Sequence, residues 1–134
     1  MINAIFFIVS TVIVGIFNIA GMSAKGNEIR RTFVEMPINL VKSAVGVDVN
    51  DETNPEAYFV SNIFEENINN YMSKSLKDLV PSYKIGFIYF NYKENGQFDF
   101  QTNGRPKYAQ VKFNCRYFLN YEITEYLTFD ARKV

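Results

Sequence analysis

The first 24 residues of the chain carry no charged side chain, and this feature constrains the fold more than any other. The opening, MINAIFFIVSTVIVGIFNIAGMSA, is mainly apolar, and the first charge is Lys25. About 20 apolar residues in a helix cross the hydrocarbon core of a bilayer. A cleaved secretory signal would begin with basic residues and have a shorter apolar run. The sequence therefore predicts an uncleaved transmembrane helix over residues 1–24.

Small and weakly polar residues gather on one side of this predicted helix. At about 100° per residue they fall within an arc of roughly 140°, and they are Asn3, Ser10, Thr11, Gly15, Asn18 and Gly21. The opposite side is apolar and includes Phe6, Ile13 and Phe17. Small and polar residues collect where membrane helices pack closely. We predict that these nine residues form an assembly surface; the alternative is that the polar ones merely decorate an anchor.

A charged extension follows over residues 25–46. Its pattern predicts that the helix continues as an amphipathic arm, kinks or restarts at Pro37 and stops near Gly46. Glu28, Arg30 and Arg31 are candidates for salt bridges between subunits, and solvated charges are the alternative. The cations follow the apolar run, so the positive-inside rule favours a cytoplasmic domain unless a basic leader has been removed.

Residues 47–134 read as a second helix followed by strands. Asn54 and Pro55 predict a helix start, and an apolar stripe runs over Glu56–Leu79. The Asn95-Gly96 pair predicts a hairpin between Tyr83–Tyr92 and Gln97–Gln101. In the stretch that follows, odd positions are apolar from Ala109 to Leu119 and even positions are mostly polar, which is typical of a strand with one buried face. The predicted fold class is α+β: a long N-terminal transmembrane and amphipathic helix, a second helix and an antiparallel sheet of about four strands.

The composition argues against most kinds of site chemistry. The chain has no histidine, one cysteine, and equal numbers of basic and acidic residues, 14 of each. Catalytic triads that need imidazole, cysteine metal clusters and a general attraction to nucleic acid are thereby disfavoured. The Asp48, Asn50 and Glu52 spacing departs from a calcium loop at Thr53 and Phe59. We predict no enzyme activity, cofactor, metal, nucleic acid or small-molecule substrate, and a buried, inert Cys115.

In its order of elements the chain resembles the pilin-like class, meaning type IV pilins and pseudopilins, including TadE-like pseudopilins. The resemblance rests on the uncleaved apolar N-terminal segment, its amphipathic extension and the C-terminal sheet. Type IV pilins generally carry glutamate at the fifth mature position, where this chain has Ile5, so a divergent member is the closer description.

The resemblance implies a structural subunit of a pilus-like extracellular filament. It would be stored in membrane lipid and assembled with copies of itself through its N-terminal helix. Two alternatives come from other classes. One is a single-pass accessory subunit of a secretion or conjugation machine with a protein-binding α+β domain, and the other is a membrane-tethered enzyme, which should show a convergent polar cleft.

Overall fold

The structure, a computed structural model, describes residues 23–49, 55–118 and 121–134. It is an α+β protein in which helices cover one face of an antiparallel sheet. Three helices are described: α1 over residues 23–34, α2 (Ile38–Lys42) and α3 (Ser61–Leu76). The strands are β1 (Val45–Asp48), β2 (Glu56–Phe59), β3 (Lys84–Tyr92), β4 (Phe98–Asp99), β5 (Tyr108–Phe118) and β6 (Tyr121–Asp130).

The main sheet has the strand order β4-β3-β5-β6, and β1 and β2 form a separate antiparallel pair. All pairings in the main sheet are antiparallel. In β5, Tyr108 lies opposite Phe90 of β3 and Asp130 of β6, while Cys115 lies opposite Ile123. Since side chains alternate between faces, odd positions of β5 face the helices and even positions face away.

The hydrophobic core lies between the helices and this inner face of the sheet. Helix α1 contributes Ile29 and Phe33, both fully buried, and the Phe33 ring stacks on Phe113 of β5 with centroids 5.2 Å apart. Helix α3 contributes the predicted stripe, with Phe64, Ile68, Met72 and Leu76 all buried. The inner face of β5 is equally closed, with Ala109, Val111, Phe113 and Cys115 at 0% exposure.

The predicted long transmembrane and amphipathic helix is wrong. Among the residues that the structure describes, no helix has both the length and the apolar character needed to cross a bilayer. Helix α1 ends at residue 34 and a separate short helix, α2, begins after Pro37, because proline lacks an N–H and restricts the residue before it. Gly46, the predicted helix end, lies within β1. Apart from Ser23 and Ala24, the apolar segment itself lies outside the described residues.

The predicted start of the second helix is also displaced. Residues Glu56–Phe59 form β2, and α3 begins at Ser61. The N–H of Phe59 donates to the carbonyl of Pro106, and the N–H of Val60 donates to the carbonyl of Ala44, both at 2.8 Å. These contacts with distant segments fix an extended backbone where the local pattern favoured a helix. The predicted cap, Asn54, lies outside the described residues.

The predicted Asn95-Gly96 turn of the sheet is confirmed. The Asn95-Gly96 turn joins β3 to β4, and Gly96 has a φ of 84°, which glycine adopts without steric cost. Asn103 and Gly104 also have positive φ values, 54° and 74°, in the turn before β5. The period-two burial of β5 is confirmed as well over the positions that the structure describes, up to Phe118.

Candidate interaction surface

Six large apolar side chains cluster on the outer face of the sheet, at the end where β5 begins. We call this cluster the aromatic patch; it consists of Ile88, Phe90, Tyr92, Phe98, Phe100 and Tyr108. Strand β3 places the first three at alternate positions, so that all three point away from the helices. The hairpin and β5 add the others, because Tyr92 pairs with Phe98 and Phe90 pairs with Tyr108.

The rings of the aromatic patch are in mutual contact. Phe90 stacks on Tyr108 with centroids 5.4 Å apart and meets the edge of Phe98 at 5.0 Å. Tyr92 lies edge-on to Tyr108 at 4.8 Å. Such pairs contribute about 0.5–1.5 kcal/mol each beyond the burial of their area. The cluster is therefore preorganised rather than a set of independent mobile side chains.

Four members of the patch remain open to solvent although they touch one another. Phe98 is 56% and Phe100 66% exposed, while Ile88 and Tyr92 are each 48% exposed. They surround a shallow groove of about 240 Å³ whose lining is mostly apolar. With about 200 Å² available per aromatic side chain, the four expose on the order of 400 Å². Apolar patches of this size on monomers frequently mark interaction sites.

The rim of the patch is polar, and its cations Arg132 and Lys107 are each paired with a carboxylate. The Arg132 guanidinium stacks over the Tyr108 ring, donates to the Tyr108 hydroxyl and donates to Asp130 Oδ2 at 3.0 Å. The hydrogen bonds and charge of Arg132 hold the pKa of Asp130 below its ordinary value, although burial opposes this. Lys107 Nζ lies 3.2 Å from Glu56 Oε1. An apolar centre with a polar rim of balanced charge is typical of protein interfaces.

A free strand edge adjoins the patch. Strand β3 pairs with β4 only through Asn91 and Tyr92. Within the described ranges, the edge of β3 from Lys84 to Phe90 has no further strand partner on that side. Its outward backbone groups can accept another chain, since exposed edges act as templates for pairing. Ile88, which lies on this edge, belongs to both features.

None of the sequence-predicted assembly residues is among the six that define the aromatic patch. Asn3, Phe6, Ser10, Thr11, Ile13, Gly15, Phe17, Asn18 and Gly21 lie outside the described residues. Arg30 Nε lies 2.6 Å from Glu125 Oε1 of the same chain, and Arg31 Nε lies 3.7 Å from Glu35 Oε1 one helical turn on. Glu28 and Arg31 line a polar groove between α1 and Tyr71 of α3. Their predicted role between subunits stays a prediction.

Sequence reasoning missed the aromatic patch, although β3 carried a signal for it. The strand YKIGFIYFNY has apolar residues on both faces, with Ile85, Phe87 and Tyr89 inward and Ile88 and Phe90 outward. Continuous apolar runs are typical of strands covered on both faces, whereas the described helices cover only one. The unused second face of β3 is the signal that could have pointed to the patch.

Burial shifts the pKa values of two ionisable groups on the inner side of the sheet. Burial raises the pKa of the Cys115 thiol, and the charge of Lys25 opposes this. Burial first, and then nearby Glu65, raises the pKa of Tyr89. No group of three metal-ligating side chains occurs in the part of the chain that the structure describes. Both shifts belong to side chains that lie in the core or pack against it.

No family model, no curated protein and no solved structure matches this chain.

Proposed function

We propose that this protein is a self-assembling structural subunit of a pilus-like extracellular filament. The observation that supports this most is the way α1 is built into the sheet domain. The apolar residues 1–22 directly precede α1 in the sequence, and α1 buries Ile29 and Phe33 completely in the core. A subunit held to its neighbours through its N-terminal segment needs such packing, because a force on the segment must be transmitted to the sheet domain without pulling α1 away from it.

Three contacts along α1 make this connection. Near its start, Gly26 lies against Tyr117 of β5, where an added Cβ would come within 2.5 Å of the tyrosine hydroxyl oxygen. In the middle, Arg30 pairs with Glu125 of β6. Near its end, Phe33 stacks on Phe113. Pulling on the N-terminal segment therefore loads packing and charge contacts together.

Electron microscopy of material sheared from the source cells tests the proposal, with mass spectrometry to identify the subunit. We expect filaments that contain this chain. A chain that is found only as a monomer or in small complexes, with no filaments, would overturn the proposal.

A pair of matched variants links assembly to the N-terminal segment. The segment variant introduces three acids into the full chain, as Phe6→Asp, Ile13→Asp and Phe17→Asp, and we expect it to form no filaments. The control adds the same charge at exposed apolar positions of the described fold, as Val34→Asp, Val47→Asp and Val49→Asp, and we expect it to assemble. Equal loss in both would mean that charge alone, and not the segment, controls assembly.

The aromatic patch favours a second candidate, a binding module for a different protein within a larger machine. Its exposed rings and balanced rim fit a protein partner of any kind. The two candidates predict different material: the filament subunit is recovered as a homopolymer, and the binding module as a complex of fixed composition with another chain.

A further inference from the structure

We infer that the aromatic patch binds the apolar N-terminal segment, Met1–Met22, of a second copy of this chain. This inference rests on the proposed function and names the surface through which neighbouring subunits would meet. Two apolar features of the molecule lack a partner among the described residues: the outer face of the sheet at the patch, and, in the sequence, the segment itself. One contact between copies covers both.

The position of α1 sets where the segment leaves the domain. Gly26 contacts Tyr117, near the end of β5, while Phe33 lies over Phe113. Helix α1 therefore begins over the end of β5 and runs back toward its middle, on the inner face of the sheet. The residues before Ser23 start from this end of the domain.

The aromatic patch lies at the opposite end and on the opposite face. Its member Tyr108 begins β5, nine residues before Tyr117, which is about 30 Å at 3.3 Å per residue. Tyr108 occupies an even, outward position, whereas Tyr117 and Phe113 occupy odd, inward positions. The point where the segment joins α1 and the patch are thus separated both along the sheet and across it.

The pairing of two unlike features determines what kind of assembly the contact produces. A contact between the segment of one copy and the patch of another is heterologous and head-to-tail, and it extends without closing unless the rotation happens to form a ring. Each copy would offer its patch to one neighbour and its segment to another. An assembly that grows in this way without closing is a filament.

The chemistry of the patch fits an uncharged occupant. The segment contains no charged side chain over 22 residues, and the rim cations Arg132 and Lys107 are each paired with a carboxylate. The edge of β3 beside Ile88 adds backbone donors and acceptors that an apolar face alone lacks.

Disulfide cross-linking of the full chain tests the inference directly. One preparation carries Phe98→Cys in the patch and Ile13→Cys in the segment of the same chain. The native Cys115 is fully buried and does not compete. Under mild oxidation we expect a ladder of dimers, trimers and higher species on a non-reducing gel. A cross-linked monomer would mean that the segment covers its own patch, and would overturn the inference.

Mixing two singly substituted chains separates contact between copies from contact within one. Phe98→Cys chains mixed with Ile13→Cys chains should give a disulfide-linked heterodimer, and repeating the mixture with Phe6→Cys or Phe17→Cys covers other registers of the segment. The matched control moves the patch cysteine to α3, as Ile63→Cys, which is 42% exposed and lies on the helix side. Equal yields from Phe98→Cys and Ile63→Cys, or none from any register, would overturn the inference.

Filament assembly of a patch variant distinguishes failure of the inference from failure of the proposed function. Phe98→Ser with Phe100→Ser removes the two most exposed rings of the patch, and we expect at least a tenfold loss of sedimentable polymer relative to wild type. The control, Val47→Ser with Ile63→Ser, should assemble normally. Wild-type chain that forms no filaments contradicts the proposed function. Wild-type filaments that persist in the patch variant contradict only the inference and favour binding of a different protein there.

Discussion

Replacing Phe33 by alanine tests whether α1 is part of the sheet domain, on which the proposed function depends. The Phe33 side chain is fully buried and its ring stacks on Phe113. Its removal loses the transfer free energy of the ring and leaves a cavity, which together cost about 3–5 kcal/mol for a buried phenylalanine. Since small domains have a total stability of about 5–15 kcal/mol, this single change should remove a large fraction of it.

The assay is urea unfolding followed by far-ultraviolet circular dichroism, in the background of the Phe6→Asp, Ile13→Asp and Phe17→Asp segment variant so that the transition concerns monomers. We expect Phe33→Ala to lower the midpoint with little change in slope. Val34→Ala, one residue on and 45% exposed, is the control and should change stability by less than about 0.5 kcal/mol. A loss below about 1 kcal/mol in Phe33→Ala would show that α1 is not docked on β5, and the mechanical link between segment and sheet would fail with it.

Three further measurements test the sheet and its core. Because Cys115 is fully buried and burial raises its pKa, a thiol reagent should modify it only as fast as the protein unfolds, whereas fast modification of the native protein would contradict the packing. Asp130→Asn should lower the stability by about 1 kcal/mol at pH 7, and the exposure of Arg132 limits this value. Because the pKa of Asp130 is lowered on folding, its contribution is present above the unfolded pKa of about 3.9 and is lost as the pH falls through the folded pKa. The two proteins should therefore converge in stability below about pH 4, and a difference that grows in acid would refute the assignment. Gly96→Ala should lower the free energy of unfolding by about 1–2 kcal/mol in urea, because the φ of Gly96 is 84°. The control Gly86→Ala, where an added Cβ meets nothing within 4 Å, should be neutral or stabilising. Equal effects of the two changes would contradict the turn geometry.

The parts of the fold that sequence reasoning recovered are those set by local periodicity. The buried stripe of α3 and the alternation of β5 each repeat within a few residues, and the apolar face is visible in the sequence itself. The Asn95-Gly96 turn has a local cause as well, since glycine tolerates positive φ. Such features depend little on what packs against them.

The errors arose where distant contacts decide the backbone. Residues Glu56–Phe59 follow a good helix-start sequence, yet they pair with β1 and bond to Pro106, almost 50 residues away. The sequence predicts an interruption at Pro37. Whether the helix continues beyond it as one long helix or a separate short helix forms depends on how α2 packs. The side-chain amide of Asn67 in α3 donates to the carbonyl of Leu40 at 3.0 Å and so ties α2 to α3.

The aromatic patch was beyond prediction for a related reason. Its members are contributed by β3, the hairpin and β5, and the stacked pair Phe90 and Tyr108 is 18 residues apart in sequence. An apolar strand such as β3 indicates that both faces of the strand pack against other parts of a protein, but the sequence does not say which face the helices will occupy. Only the observed placement of α1 and α3 identifies the outer face as the open one.

An isologous dimer is the main competitor to head-to-tail assembly, and the disposition of apolar surface argues against it. Pairing patch to patch about a two-fold axis would cover the exposed rings of both copies and close the assembly at two. Such a contact would not involve the apolar segment of either copy. Burying on the order of 400 Å² on each side is also below the roughly 800 Å² per partner of a standard stable interface. When a 22-residue segment from a neighbour binds the patch, the contact gains the area of the segment and the hydrogen bonds of the β3 edge. Every copy in the interior of the filament then has its patch covered.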